Sequence, residues 1–162
     1  MQTKSSLNDR QQALATDYKV TENHLQDAMP RSVLESLVPK LDDKYNILAF
    51  KLQKPMPEKD IEIARQLLER ALVPCSKEVA LNAMYALKIR TANTPAERDI
   101  AEERVALYLA DLLEYPQDVV VDACRCMANH CRWFPAWADL RKELEWRVVK
   151  RRKQLEALNG CI

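Results

Sequence analysis

The sequence of 162 residues contains a single glycine, Gly160. Phosphate-binding P-loops, dinucleotide-binding fingerprints and the serine nucleophile elbow each need two or more glycines at fixed spacing. None of these motifs can therefore be present. Asn159-Gly160 is the one Asn-Gly pair and no Asp-Gly pair occurs, so no hairpin turn of either type is predicted before residue 159. The near absence of glycine therefore predicts a helical protein without the common nucleotide-binding or hydrolase motifs.

Long apolar runs are also missing. No stretch approaches the roughly 20 apolar residues that span a bilayer, and the first ten residues lack the apolar stretch of a signal peptide. The five cysteines are odd in number and clustered, which favours free thiols over a disulfide framework. Together these features predict a cytoplasmic protein.

Proline-marked breaks separate segments with helical periodicity. Thr94-Pro-Ala-Glu97 has the pattern of a capping box with proline at the first helical position, and Asn159-Gly160 is a helix stop. Apolar residues at three- and four-residue spacing between 34 and 52 predict a helix that Pro39 kinks or restarts. No segment shows sustained strand alternation. We therefore predict an all-α fold, a compact bundle of short helices with an N-terminal helical arm and a long basic C-terminal helix.

The segment Pro55-Met-Pro57 is the clearest break in the chain. Two prolines within three residues interrupt a helix and stiffen the join. We take it as the boundary between an N-terminal arm or small subdomain, residues 1–54, and a helical bundle domain, residues 57–162. The arm carries a weak helical pattern from Leu7 to Ala28.

Three cysteines and a histidine lie close together between Cys124 and Cys131. On a helix, Cys124 and Cys131 fall on the apolar stripe, where a free thiol behaves as a small hydrophobe. Cys126 and His130 share another face, but two ligands are too few for a structural zinc site. We expect core packing here, with no metal, no cofactor and no catalytic triad, because no nucleophile, base and orienting acid assemble.

The charge balance is almost neutral, with 25 basic and 24 acidic side chains, but it is uneven along the chain. Residues 95–122 carry eight acidic and two basic side chains, whereas residues from 132 onward carry eight basic and four acidic ones. The basic side chains are either part of a solvated helix or contact DNA phosphates or an acidic partner. On the second interpretation the DNA-binding residues are Arg147, Lys150, Arg151, Arg152 and Lys153.

Three of the ten aromatic residues fall in a five-residue window at a predicted helix start. Either Trp133 and Phe134 brace the turn while Trp137 fills the core, or at least one ring is a surface anchor for a partner. The reason to consider the second alternative is that tryptophan and arginine dominate binding hot spots. The candidate partner-binding residues are Tyr115, Arg132, Trp133, Phe134 and Trp137.

Two motifs in the C-terminal half carry a family resemblance. An acidic helix ends in Tyr115-Pro116, and the later Trp133-Phe-Pro-Ala-Trp-Ala-Asp-Leu140 leads into the next helix. Residues 101–145 thereby resemble the small helical module of phage and prophage replication proteins of the helicase-loader type. The resemblance implies a non-catalytic accessory protein that binds a hexameric replicative helicase and helps load it on DNA without an ATPase of its own. It also implies that the acidic and aromatic module engages the helicase, with the basic tail on DNA or an acidic surface.

Two other functions remain open. The first is a small helical DNA-binding transcriptional regulator, whose basic last helix would enter a groove of the duplex. The second is a helical protein–protein interaction adaptor, whose long last helix would pair with itself, that is with the same helix of a second copy, through an apolar stripe. That stripe consists of Trp137, Leu140, Leu144, Val148 and Leu155, and is interrupted by Arg151.

Overall fold

The computed structural model describes residues 21–161. This part of the chain forms seven α-helices and one two-stranded sheet, so the predominantly helical architecture predicted from the sequence is confirmed. None of these helices is both long enough and apolar enough to cross a membrane. The predicted helical pattern between Leu7 and Tyr18 lies outside the described residues. The elements are α1 (Glu22–Ala28), α2 (Arg31–Ser36), β1 (Leu37–Leu41), β2 (Ile47–Leu52), α3 (Glu58–Ala71), α4 (Lys77–Thr91), α5 (Pro95–Leu112), α6 (Gln117–His130) and α7 (Trp137–Asn159).

Local sequence signals determine where most of these helices begin. The Thr94 side chain accepts a hydrogen bond from the Glu97 amide, and the Glu97 carboxylate accepts one from the Thr94 amide, so the predicted capping box starts α5. Ser76 caps α4 in the same way through its hydroxyl oxygen. Pro57 and Pro116 occupy the N-cap positions of α3 and α6. The turns that contain these prolines therefore connect successive helices of the bundle.

The helix predicted between residues 34 and 52 is wrong. The chain leaves α2 at Ser36 and forms an antiparallel hairpin in which Pro39 lies opposite Phe50. The turn needs no glycine, because the Asp42 carboxylate accepts hydrogen bonds from the amides of Lys44 and Asn46, and Tyr45 adopts the left-handed conformation at φ 63°. The all-α prediction holds for the bundle but misses this small sheet.

The buried apolar side chains form two clusters. The larger cluster lies among α4, α5, α6 and α7 and includes Met84, Leu112 and Leu144, each essentially without solvent exposure. The smaller cluster joins α1, α2, β1 and α3 to the end of α7 through Leu68 and Leu158. Helix α3 thus packs with the elements that precede Pro55-Met-Pro57, and α7 contributes to both clusters.

Candidate functional site

The turn between α6 and α7, which carries the predicted aromatic cluster, is held rigidly against α5. Phe134 is buried with 5% of its surface exposed, and its carbonyl oxygen accepts a hydrogen bond from Arg104 Nη1 at 2.6 Å. The Tyr108 hydroxyl donates to the carbonyl oxygen of Pro135 at 3.1 Å. Because two side chains of one helix bind consecutive carbonyls of the turn, the backbone next to Trp133 is anchored to α5.

Trp133 projects from this turn with 60% of its surface exposed. The Arg132 guanidinium lies over its ring, 5.2 Å from the centroid. The pKa of the nearby Glu97 carboxylate is lowered mainly by hydrogen bonds from the amides of Asn93 and Thr94, with a smaller contribution from Trp133. The geometry therefore presents a large exposed aromatic ring with a cation over its face.

The other predicted partner-binding residues are less accessible than Trp133 and Arg132. Trp137 is half-buried and packs on Tyr108 at a ring-centroid distance of 5.2 Å. Tyr115 is 5% exposed, and its hydroxyl donates to Glu145 Oε1 at 2.5 Å. Burial and then the Glu145 carboxylate raise the pKa of Tyr115 to about 12. For Phe134 and Tyr115, the structure corrects the prediction: both side chains belong to the core and are not contact residues.

The basic tail of α7 is largely neutralised within the protein. Lys150 contacts Glu22 of α1, and the other basic residues contact carboxylates of α7 itself or of α6. The side chains of Arg147 and Lys150 are only 15% and 33% exposed. This arrangement is different from a row of free cations aimed at a phosphate backbone. The nitrogen-to-oxygen distances are 2.7 Å for Arg147–Glu143, 3.4 Å for Lys150–Glu22, 3.6 Å for Arg152–Glu145 and 3.1 Å for Lys153–Glu156.

Arg151 is a core residue, so the prediction that it contacts DNA is wrong. Its guanidinium makes a bidentate contact with Asp118, at 2.9 Å and 2.5 Å, and also donates to the carbonyl oxygen of Ala71 and to Glu22. Burial alone would lower the pKa of Arg151, but the bonds to Asp118 and Glu22 outweigh it and the pKa is raised. Only 1% of the residue is exposed, so a phosphate cannot reach it without unfolding.

The apolar stripe of α7 is likewise committed to the interior. Leu140, Leu144 and Val148 are fully buried in the larger cluster, and Leu155 packs on the smaller one. An adaptor that paired its last helix with a partner through these residues would have to open its own core first. The surface proposed for that alternative function is therefore not available in the folded chain.

Cys126 and His130 do come together on an outer face of α6, with Sγ and Nδ1 3.6 Å apart. The same Nδ1 lies 2.7 Å from the carbonyl oxygen of Cys126. Since a carbonyl oxygen only accepts, Nδ1 carries a hydrogen in that bond and does not take the thiol proton. Cys124 is buried at the apolar stripe as predicted, and burial raises the pKa of its thiol to about 12. Within residues 21–161, no three His, Cys, Asp or Glu side chains converge as metal ligands.

Sequence reasoning did not single out Trp146, an exposed tryptophan. It is 60% exposed, its indole nitrogen donates to Glu143 Oε2 at 3.0 Å, and the Arg147 guanidinium lies 4.2 Å from its ring centroid. Its place on α7, away from the stripe of Leu144 and Val148, is the signal that could have identified it. Trp133 and Trp146 are thus equally exposed rings, each stacked by an arginine, on different parts of the bundle.

We compared the chain with protein-family models, with curated proteins and with solved structures, and none of them matches it.

Proposed function

We propose that this chain is a non-catalytic accessory protein of DNA replication that binds a hexameric replicative helicase and helps place it on DNA. The proposal starts from the resemblance of residues 101–145 to the helicase-loader module. Without a P-loop, such a protein would act through binding energy alone, by a higher affinity for the loading-competent state of the helicase ring. The observation that carries the docking step is the exposure of Trp133 beside Arg132.

A rigidly presented tryptophan is an effective anchor for a protein partner. Large aromatic side chains at the centre of an interface supply much of its binding free energy, and little conformational entropy is lost when the side chain is already positioned. The contacts of Arg104 and Tyr108 with the backbone of the turn provide this positioning. DNA contact by the basic tail is not part of the proposal, because Arg151 is buried and its neighbours are ion-paired.

The test is binding of the purified chain to the replicative helicase of the same host, measured by surface plasmon resonance. We expect Trp133→Ala to weaken binding by about 30-fold, the effect of removing a hot-spot residue worth about 2 kcal/mol. Trp146→Ala is the matched control, because Trp146 has the same exposure and the same kind of arginine neighbour. Circular dichroism verifies that both variants fold.

Absence of binding by the folded wild-type protein would eliminate the proposal. An equal loss of affinity in both tryptophan variants would show that Trp133 is not the anchor. Phe134→Ala is unsuitable for this purpose, because Phe134 is buried and its removal affects the core.

A further inference from the structure

The outer face of α5 is an acidic surface with exposed aliphatic side chains. Ile100 and Leu107 are seven residues apart on one side of the helix and are 50% and 72% exposed. The helix also carries three exposed carboxylates, a fourth lies just beyond its end, and none of the four forms an ion pair with any residue of the described range. The two arginines of α5 lie elsewhere, since Arg98 binds the Asn93 carbonyl and Arg104 binds the α6–α7 turn. The carboxylates are those of Asp99, Glu103, Asp111 and Glu114.

A groove of opposite character lies between α4 and α6. It has a volume of about 250 Å³ and a floor of small and apolar side chains. Two arginines line it, Arg90 and Arg125, and no carboxylate does. The Arg125 side chain is 66% exposed and forms a surface ion pair with Asp122 of the same helix, with 3.7 Å between Nη1 and Oδ1. The floor includes Ala83, Ala86, Val121 and Ala128.

We propose that the outer face of α5 of one molecule docks into the α4–α6 groove of a second copy. The two surfaces are complementary in charge, since an acidic helix meets a groove lined by two guanidiniums, and in shape, since alanines in the groove let a helix approach closely while Leu107 enters it. The face and the groove are different surfaces of one molecule, so the contact is heterologous and each molecule can bind two neighbours. Association of this kind produces chains or closed rings.

The experiment is sedimentation velocity on the full chain over a range of concentrations. The wild-type protein is expected to exceed its monomer mass of 18.7 kDa increasingly with concentration. Association should weaken when salt rises from about 0.1 M to about 1 M, because the screening length falls from about 10 Å to about 3 Å. Wild-type protein that remains monomeric at every concentration, including low salt, would overturn the proposal.

Two variants distinguish the proposed heterologous contact from other contacts. Leu107→Ser damages the face and Arg125→Glu damages the groove, so each alone should lower the association constant by at least about tenfold. A mixture of the two variants should recover a dimer, because the intact groove of the first fits the intact face of the second. If the mixture stays monomeric, the pairing is wrong.

Leu48→Ser is the matched control, because it removes an exposed leucine, 49% accessible, from the hairpin. It should associate like the wild type, and an equal loss in this control would show that exposed leucines act without specificity. If a basic or acidic partner protein binds the face or the groove instead, the wild-type protein alone stays monomeric, which also refutes the second copy as the occupant. None of these measurements involves a helicase, so the outcome is independent of the proposed function.

Discussion

The buried contact between Arg151 and Asp118 makes a sharp stability prediction. Arg151 is 1% exposed and Asp118 is 8% exposed, and the guanidinium binds both carboxylate oxygens. Replacing Arg151 with methionine leaves the Asp118 carboxylate in a water-poor site without its cation. Removing one partner of such a pair costs about 3–5 kcal/mol. This is a large share of the roughly 5–15 kcal/mol that stabilises a typical domain.

The position of Arg151 between several helices increases the stability loss expected from its replacement. Arg151 Nη1 also donates to the carbonyl oxygen of Ala71 at the end of α3, and Nε donates to Glu22 of α1. One side chain therefore connects α7 to α6, α3 and α1, and links the two apolar clusters. With a urea slope of about 2 kcal/mol per molar, a loss of about 4 kcal/mol moves the unfolding midpoint by about 2 M.

Urea denaturation followed by circular dichroism measures this shift. Arg152→Met is the matched control, because Arg152 is 43% exposed and 3.6 Å from Glu145, and its loss should cost less than about 1 kcal/mol. The double variant Arg151→Met/Asp118→Leu should be more stable than Arg151→Met alone, since it removes both buried charges together. A cost below about 1 kcal/mol for Arg151→Met, or simple additivity of the two changes, would refute the reasoning.

Three further predictions follow from local contacts. Hydrogen bonds from Arg147 and then from Trp146 lower the pKa of Glu143, so Glu143→Gln should destabilise the protein at neutral pH. The difference in unfolding free energy between this variant and the wild type, measured with urea, should shrink as the pH falls through the lowered pKa of Glu143. A difference that grows on acidification would contradict this prediction. Thr94→Ala should cost about 1 kcal/mol by removing the α5 cap, and an unchanged midpoint would mean that the cap is not formed in solution. In the folded protein at pH 8, iodoacetamide and peptide mass spectrometry should find Cys126 alkylated and Cys124 protected, because Cys124 is 2% exposed with a pKa of about 12, and equal labelling would be inconsistent with its burial.

The bundle was predictable because its signals are local. The capping box at Thr94 and the prolines act within a few residues, and in the structure Thr94 starts α5 while Pro57 and Pro116 immediately precede α3 and α6. The hairpin was missed because its apolar residues fit a three- to four-residue spacing and its strands show no sustained alternation of buried and exposed residues. Pro39 was the available signal, since the residue before a proline avoids the helical region. Asp42, which accepts hydrogen bonds from two amides, closes a turn that contains no glycine.

The candidate site was predicted only in part, because exposure depends on tertiary packing. Trp133 and Phe134 are adjacent, yet one is 60% exposed and the other 5%, and nothing in the residue types distinguishes them. The turn geometry decides which ring faces the core, and that geometry depends on contacts with Arg104 and Tyr108, more than 20 residues away.

The burial of Arg151 could have been predicted from the sequence. Arg151 lies three residues after Val148 and therefore continues the apolar stripe of α7, at a position where a solvated cation is not expected. A charge on a buried stripe requires a partner of opposite sign, and α6 supplies it through Asp118 in its first turn. The interruption of the stripe was interpreted as a defect in a self-pairing helix. The charge of Arg151 is instead neutralised inside the protein, so the basic tail has one fewer cation for an external partner. Helix α7 packs in both apolar clusters, and its structural role is therefore better supported than a nucleic-acid-binding role.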